Sequence, residues 1–202
     1  MIKPRLLIFA KSPTPGFVKT RLMKAMSPEI AATIYVHLLS HTLTQSKLPG
    51  VEAIVWRSGD VMHPYWQAWP EYDYCEQPEG DLGDRMAYAI EHSAGPGGPV
   101  VLIGSDCLAL TAEYIQQAFT ALAAGSDIVL GPATDGGYVL IGLNKPHQQL
   151  FRGISWSTDQ VFAQTVSIIE SSGLTYNCLA ELSDIDTIAD AIAADLFSSS
   201  QI

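Results

Sequence analysis

The first 24 residues contain no aspartate or glutamate, although the chain as a whole is acidic, with 21 acidic residues against 11 Lys and Arg and a net charge of −10. That balance excludes nucleic acid or an anionic membrane surface as the main partner, because a polyanion is repelled. Cysteine is scarce: Cys75, Cys107 and Cys178 are an odd number with no CxxC spacing. This fits reduced thiols in the cytoplasm better than a disulfide frame or a zinc site. No apolar run approaches the roughly 18 residues of a membrane span, and Leu6–Ala10 is too short for the core of a signal peptide. A Walker A loop, GxGxxG, GxSxG and HExxH are all absent, as are internal repeats and any linker long enough to divide the chain. The expectation is a single cytoplasmic domain over residues 1–202, whose oligomeric state is left open.

What is present is uneven. Six of the 11 Lys and Arg lie in the first 24 residues, and the remaining chain carries every acidic residue against five basic ones. Leu6–Ala10 reads as a buried strand that stops at a loop holding Lys11, Gly16, Lys19 and Arg21. A basic loop at the end of the first strand of an acidic protein points to an anionic ligand, with phosphate the natural candidate.

Short apolar runs then alternate with amphipathic stretches. Strands are expected at Val51–Trp56, Val100–Ile103, Ile128–Gly131, Tyr138–Leu143 and Tyr176–Leu179. Helices are expected at Pro28–Leu48, capped by Ser27, at Gly83–Ser93, at Thr111–Ala124, at Thr158–Ser171 and at Asp186–Phe197. His63–Tyr74 reads as a short irregular helix followed by a short strand, and Gly95–Pro99 as a turn. The pattern predicts an α/β three-layer sandwich with a mostly parallel sheet. In such sheets ligands bind beyond the carboxyl ends of the strands. The unusual polar loops fall there: after Ala10, after Ile103 and after Gly131.

Each loop has two readings. Lys11–Arg21 is either a phosphate loop, with Lys19 and Arg21 supplying charge, or a basic surface turn. Asp106, in Gly104-Ser-Asp-Cys107, sits where a ligand-bound Mg²⁺ is reachable, or it forms an Asx-turn or helix cap. Thr134-Asp135-Gly-Gly-Tyr138 is the usual signature of a tight hairpin turn, raised in interest only by its neighbours. Asp184 and Asp186, at i and i+2 in extended backbone, point to one side and suit one cation, or Asp186 caps the last helix. Gln77 to Arg85, including Gly80, Asp81 and Gly83, suits a polar ligand edge or a capped helix start. Trp156 either packs over the site, the favoured reading, or belongs to the core, while exposed Trp66 or Trp69 would mark an interface.

The ordered segments Phe9-Ala-Lys11-Ser-Pro-x-Pro-Gly16-x-Val-Lys19-Thr-Arg21-Leu22, Gly104-Ser-Asp106-Cys107, Gly131-Pro-Ala-Thr-Asp135-Gly-Gly137-Tyr138, Ile154-Ser-Trp156-Ser-Thr158 and Asp184-Ile-Asp186-Thr187 resemble a family over nearly the whole chain. It is the glycosyltransferase A-type family associated with radical SAM and selenoprotein domains, the DUF2064-like proteins. More distantly, the chain is similar to guanylyltransferases of deazaflavin and molybdenum cofactor synthesis. The resemblance implies a nucleotide-diphospho-sugar transferase fold that binds a nucleotide and Mg²⁺ or Mn²⁺, with Asp106, Asp184 and Asp186 at the metal positions of the deazaflavin relatives. Leu108 departs from the proline usual after the cysteine. The activity this implies is transfer of a nucleotidyl or glycosyl group from a nucleoside triphosphate or nucleotide sugar to a small acceptor. Ala10, Lys11, Gly16, Lys19, Arg21, Gln77, Gly80, Asp81, Gly83 and Arg85 would hold the nucleotide, and Lys19, Arg21 and Asp135 would serve catalysis. The alternatives are a non-catalytic nucleotide-binding partner protein and a purely structural module.

Overall fold

Alternate residues of the first strand look in opposite directions, and both directions are covered. In the computed structural model, which describes residues 3–94 and 98–196, strand β1 (Arg5–Lys11) is buried from Leu6 through Ala10. Leu6, Ile8 and Ala10 join one core with Tyr35, Leu39 and Leu43 of helix α1 (Pro28–Gln45) and Tyr114, Ile115 and Phe119 of α3 (Ala112–Ala123). Leu7 and Phe9 join a second core with Met86, Ala89 and Ile90 of α2 (Leu82–Ser93) and Ile169 of α4 (Val161–Ser171). A strand that is apolar on both faces requires a helix on both, which is what a mostly parallel sheet supplies.

The remaining strands are β2 (Glu52–Ser58), β3 (Asp73–Glu76), β4 (Val100–Ile103), β5 (Ile128–Pro132), β6 (Tyr138–Leu143) and β7 (Tyr176–Cys178). The sheet runs β3-β2-β1-β4-β6-β5-β7. β3, β2, β1 and β4 pair in parallel, β6 runs antiparallel between β4 and β5, and β7 is parallel to β5. The three-layer sandwich expected from the apolar pattern is therefore present. All four residues of β4 are buried, as the short apolar run implied.

Local chemistry sets the helix starts. Ser27 Oγ accepts from Ile30 N, with Pro28 in the first turn. Thr111 Oγ1 accepts from Tyr114 N. α1 also buries Ala31, Ile34 and Leu38 against Ile185 and Ala191, so α5 (Ile188–Ala193) forms a lid on its outer face.

Several boundaries differ from expectation. α1 stops at Gln45 rather than Leu48. α4 begins at Val161 rather than Thr158, because the Thr158 hydroxyl donates back to Ser155 O and accepts from Gln160 N, which holds that stretch as a loop. α5 is capped by Thr187, not by Asp186: Thr187 accepts from Asp190 N, and the Asp190 carboxylate accepts in return from Thr187 N. The expected end of this helix at Phe197, and residues 95–97 of the turn expected over Gly95–Pro99, lie outside the described residues. Trp66 is not an exposed interface residue. It is 4 % exposed and packs in the first core, with Trp69 partly buried beside it. Among the described residues no helix is long and apolar enough to cross a membrane.

Candidate functional site

The loops after β1, β4 and β5 meet at one sheet edge, and two further segments reach them. Leu182 N donates to Pro132 O and Thr134 N donates to Leu182 O, which continues the β5–β7 pairing past the end of β7. Ile185 N then donates to Asp106 O at 3.1 Å. These backbone bonds carry Asp184 and Asp186 across the chain to the Asp106 loop. The second segment is Ile154–Asp159. Gly136 packs so closely on the backbone of Asp159 that no side-chain atom fits between them, and Phe162 N donates to Gly136 O.

The result is a cleft of about 850 Å³, within the range of small-molecule sites. Of the residues predicted from sequence, Ala10, Lys11, Lys19, Arg21, Gln77, Gly80, Asp81, Arg85, Asp106, Asp135, Asp184 and Asp186 all line it. Gly16 and Gly83 do not. Gly16 lies on the open outer turn of its loop, and Gly83 is buried beneath the Trp156 indole and the Phe151 carbonyl. Trp156 lines the cleft, as expected, and meets Tyr138 edge-on.

The placements refine the roles. Asp81 reaches the cleft, but its carboxylate caps α2 in a reciprocal bond with Asp84. Gln77 is pinned to β2, donating to Trp56 O through its side chain and to Arg57 O through its backbone. Arg85 donates from Nε to Gly80 O. Asp135 sits in the β5–β6 hairpin turn, where its carboxylate accepts from Gly137 N. The hairpin reading of this loop holds, and the turn also lies on the cleft wall.

Lys19 is the surprise. The sequence offered it either as charge for a phosphate or as part of a basic surface turn, yet its side chain is only 4 % exposed. Its ammonium donates to Ile185 O at 2.7 Å, and lies 3.2 Å from Asp106 Oδ1 and 3.5 Å from Asp186 Oδ1. Arg21, mostly exposed, pairs with the other oxygen of Asp186. Lys11 and Arg21 are the basic side chains left facing solvent at this end of the cleft.

Negative charge is concentrated opposite. Burial pushes the Asp184 carboxyl up to about 7, helped by the neighbouring charges of Asp106, Asp135 and Asp186 and opposed by Lys19. Asp106 Oδ1 is buried, and beyond the off-axis approach of Lys19 it has no hydrogen-bond partner. Hard oxygen donors with an orphaned carboxylate oxygen suit Mg²⁺ or Mn²⁺. Among the described residues, however, no three His, Cys, Asp or Glu side chains already converge on a point that would hold a metal. Asp106, Asp184 and Asp186 are thus neighbours and not a finished cage. The donor set fits an ion held by one or two carboxylates together with ligand phosphates.

Sequence reasoning missed the support beneath the basic loop. The buried Tyr35 hydroxyl accepts from Lys11 N at 2.8 Å and bonds Ser105 Oγ at 3.0 Å. Burial, with the Asp106 charge nearby, raises its pKa far above the ordinary value, so it stays neutral. Tyr35 falls inside the helix expected over Pro28–Leu48, and no spacing marks it. Ser157, at φ +64° and within the Ile154–Thr158 segment of the family resemblance, and Asp159, which no motif marks, also line the cleft.

A family described as "Uncharacterized protein conserved in bacteria (DUF2064)" matches residues 42–158. A solved protein of Desulfovibrio desulfuricans G20, provisionally assigned as a nucleotide-diphospho-sugar transferase, is 32 % identical with a TM-score of 0.88, covering 99 % of this chain and 90 % of that one. CMP:2-keto-3-deoxy-manno-octonic acid synthetase, solved with CTP, is similar at 10 % identity and a TM-score of 0.61, covering 97 % and 100 % of the two chains. Inositol-1-phosphate CTP transferase of T. maritima is similar at 13 % identity and a TM-score of 0.59, covering 97 % and 92 %. The last two likenesses are of fold alone. No curated protein matches the chain.

Proposed function

The chain belongs to the DUF2064 family, and from that premise we propose that it is a metal-dependent transferase, using a nucleoside triphosphate or nucleotide sugar and delivering a nucleotidyl or glycosyl group to a small acceptor. The observation that carries this reading is the charge pattern of the cleft. Lys11, Lys19 and Arg21 come from one loop, and they face Asp106, Asp135, Asp184 and Asp186 at the carboxyl edge of the sheet. A cleft of that size with both signs of charge suits a diphosphate and its counter-cation.

Asp106, Asp184 and Asp186 would hold the cation, which neutralises charge developing on the diphosphate. Lys11 and Arg21 are placed to meet phosphate oxygens at the cleft mouth. Gln77, Gly80 and Arg85 form the far wall, suited to the base or the acceptor. Asp135, exposed on its hairpin turn, is placed to orient an acceptor or take its proton. Trp156 and Tyr138 add apolar wall that excludes water from the reacting groups.

Nucleotidyl transfer, in which an acceptor phosphate attacks the α-phosphorus and pyrophosphate leaves, agrees with the two fold neighbours named for CTP chemistry. Glycosyl transfer, with a nucleoside diphosphate leaving, is favoured instead by the name of the 32 % identical relative. Calorimetric titration with the four ribonucleoside triphosphates and a set of nucleotide sugars, with and without Mg²⁺ or Mn²⁺, tests the reading on wild type and Asp106→Ala. Metal-dependent binding of one nucleotide, lost in the variant, supports it, and the leaving group then separates the two chemistries. Binding without turnover of any acceptor would make the protein a nucleotide-binding partner. No binding under any condition refutes the proposal.

A further inference from the structure

Lys19 has a conformation and a set of contacts that a simple phosphate-binding lysine does not need. Its backbone sits at φ +47°, in the left-handed region that a non-glycine residue occupies only at a cost. That turn of the backbone accompanies a side chain directed into the protein, where it is nearly closed off from water. An ammonium offers three donors, and here three oxygens surround it: Ile185 O, Asp106 Oδ1 and Asp186 Oδ1. Two hydrogen bonds, to Ile185 O and Asp186 Oδ1, and the ion pair with Asp106 Oδ1 hold the ammonium away from the open cleft. The contacts also join three loops far apart in sequence: the one after β1, the one after β4 and the one before α5.

Resting on the transferase reading above, we propose that Lys19 is the built-in counter-cation of the carboxylate cluster, holding Asp106 and Asp186 in place and competing with a divalent cation for their oxygens. Lys19 is on this view a positioning residue. An ammonium and a divalent ion cannot both take Asp106 Oδ1 and Asp186 Oδ1 at full contact, since like charges at that spacing repel strongly. Metal alone must therefore displace an ammonium already paired with both carboxylates. Metal arriving with nucleotide phosphates brings anionic oxygens that accept the released ammonium. The protein accordingly binds the ion together with the nucleotide and holds it poorly beforehand.

The test is a titration with Mn²⁺ alone, no nucleotide present, following the electron paramagnetic resonance signal of the free ion. Wild type should bind weakly. Lys19→Met, close in length and uncharged, should bind at least about tenfold more tightly, a change of ~1.4 kcal/mol. Lys19→Gln keeps a donor for the Ile185 carbonyl and should show the same gain, which covers the case in which the methionine variant does not fold. Lys19→Arg retains the charge and should stay weak. Equal Mn²⁺ affinity in wild type and the neutral variants, or tighter binding by wild type, overturns the proposal. The two ideas fail separately: absence of nucleotide binding in calorimetry sinks the transferase reading, and an unchanged Mn²⁺ affinity sinks the role given to Lys19.

Discussion

Replacing Gly136 by alanine should be among the most damaging single-methyl additions available in this chain. Gly136 has φ +86°, and a Cβ built there would lie 2.3 Å from the backbone oxygen of Asp159 and 2.6 Å from its Cα. Two costs combine. The left-handed backbone penalises any L side chain by roughly 1–2 kcal/mol. Overpacking costs roughly 1–3 kcal/mol more, and here the obstacle is backbone, which cannot swing aside as a flexible side chain can. The expected destabilisation is about 2–5 kcal/mol. Gly153 isolates the first cost: it has φ +71°, with nothing within 4 Å of its would-be Cβ, so Gly153→Ala should lose only about 1–2 kcal/mol. Urea unfolding followed by far-ultraviolet circular dichroism gives both values from midpoint and slope. Because Gly136 fastens the Asp135 hairpin to the 155–159 loop, Gly136→Ala should also weaken ligand binding in the cleft, while Gly153→Ala should not. If Gly136→Ala is no more destabilising than Gly153→Ala, the close approach of these two loops is wrong, and with it the shape of this wall of the cleft.

Two further outcomes follow from the buried polar groups. Asp184 has its pKa raised in the folded protein, so the folded state binds this proton more tightly than the unfolded chain does, and the residue's contribution to stability falls as pH rises from about 4 to 7. Asp184→Asn should therefore be more stable than wild type at pH 8, on the order of 2 kcal/mol, with the advantage gone near pH 4; urea midpoints at both values decide it, and a variant less stable at pH 8 contradicts the assignment. Tyr35→Phe removes the acceptor of Lys11 N and the partner of Ser105 Oγ, which should cost roughly 1–3 kcal/mol and lower nucleotide affinity by loosening the basic loop; thermal melts with calorimetry check both, and an unchanged variant would show that water replaces the hydroxyl.

Much of this architecture follows from local patterns. The runs Leu6–Ala10 and Val100–Ile103 are short, wholly apolar and bounded by turn residues, so they had to be strands covered on both faces, and they are. Ser27-Pro28 and Thr111 marked helix starts because a hydroxyl at that position satisfies an otherwise orphaned amide. The sequence also determined by itself that three polar loops lie at the carboxyl ends of strands, and therefore at one edge. Tertiary structure decided what those loops do to one another. Thr187 rather than Asp186 caps α5, which frees Asp186 to meet Lys19 and Arg21; either residue was an acceptable cap locally, and only the approach of the β1 loop separates them. Trp66, an apolar surface candidate in a proline-rich stretch, is buried in the first core, where Tyr74 of β3 meets its ring edge-on and the Arg57 guanidinium of β2 lies over it. Lys19 reads as a solvated basic residue in any window of sequence. Its partners stand 87 and 167 positions further along the chain, and contacts of that range are fixed by sheet order and packing, which no local pattern encodes.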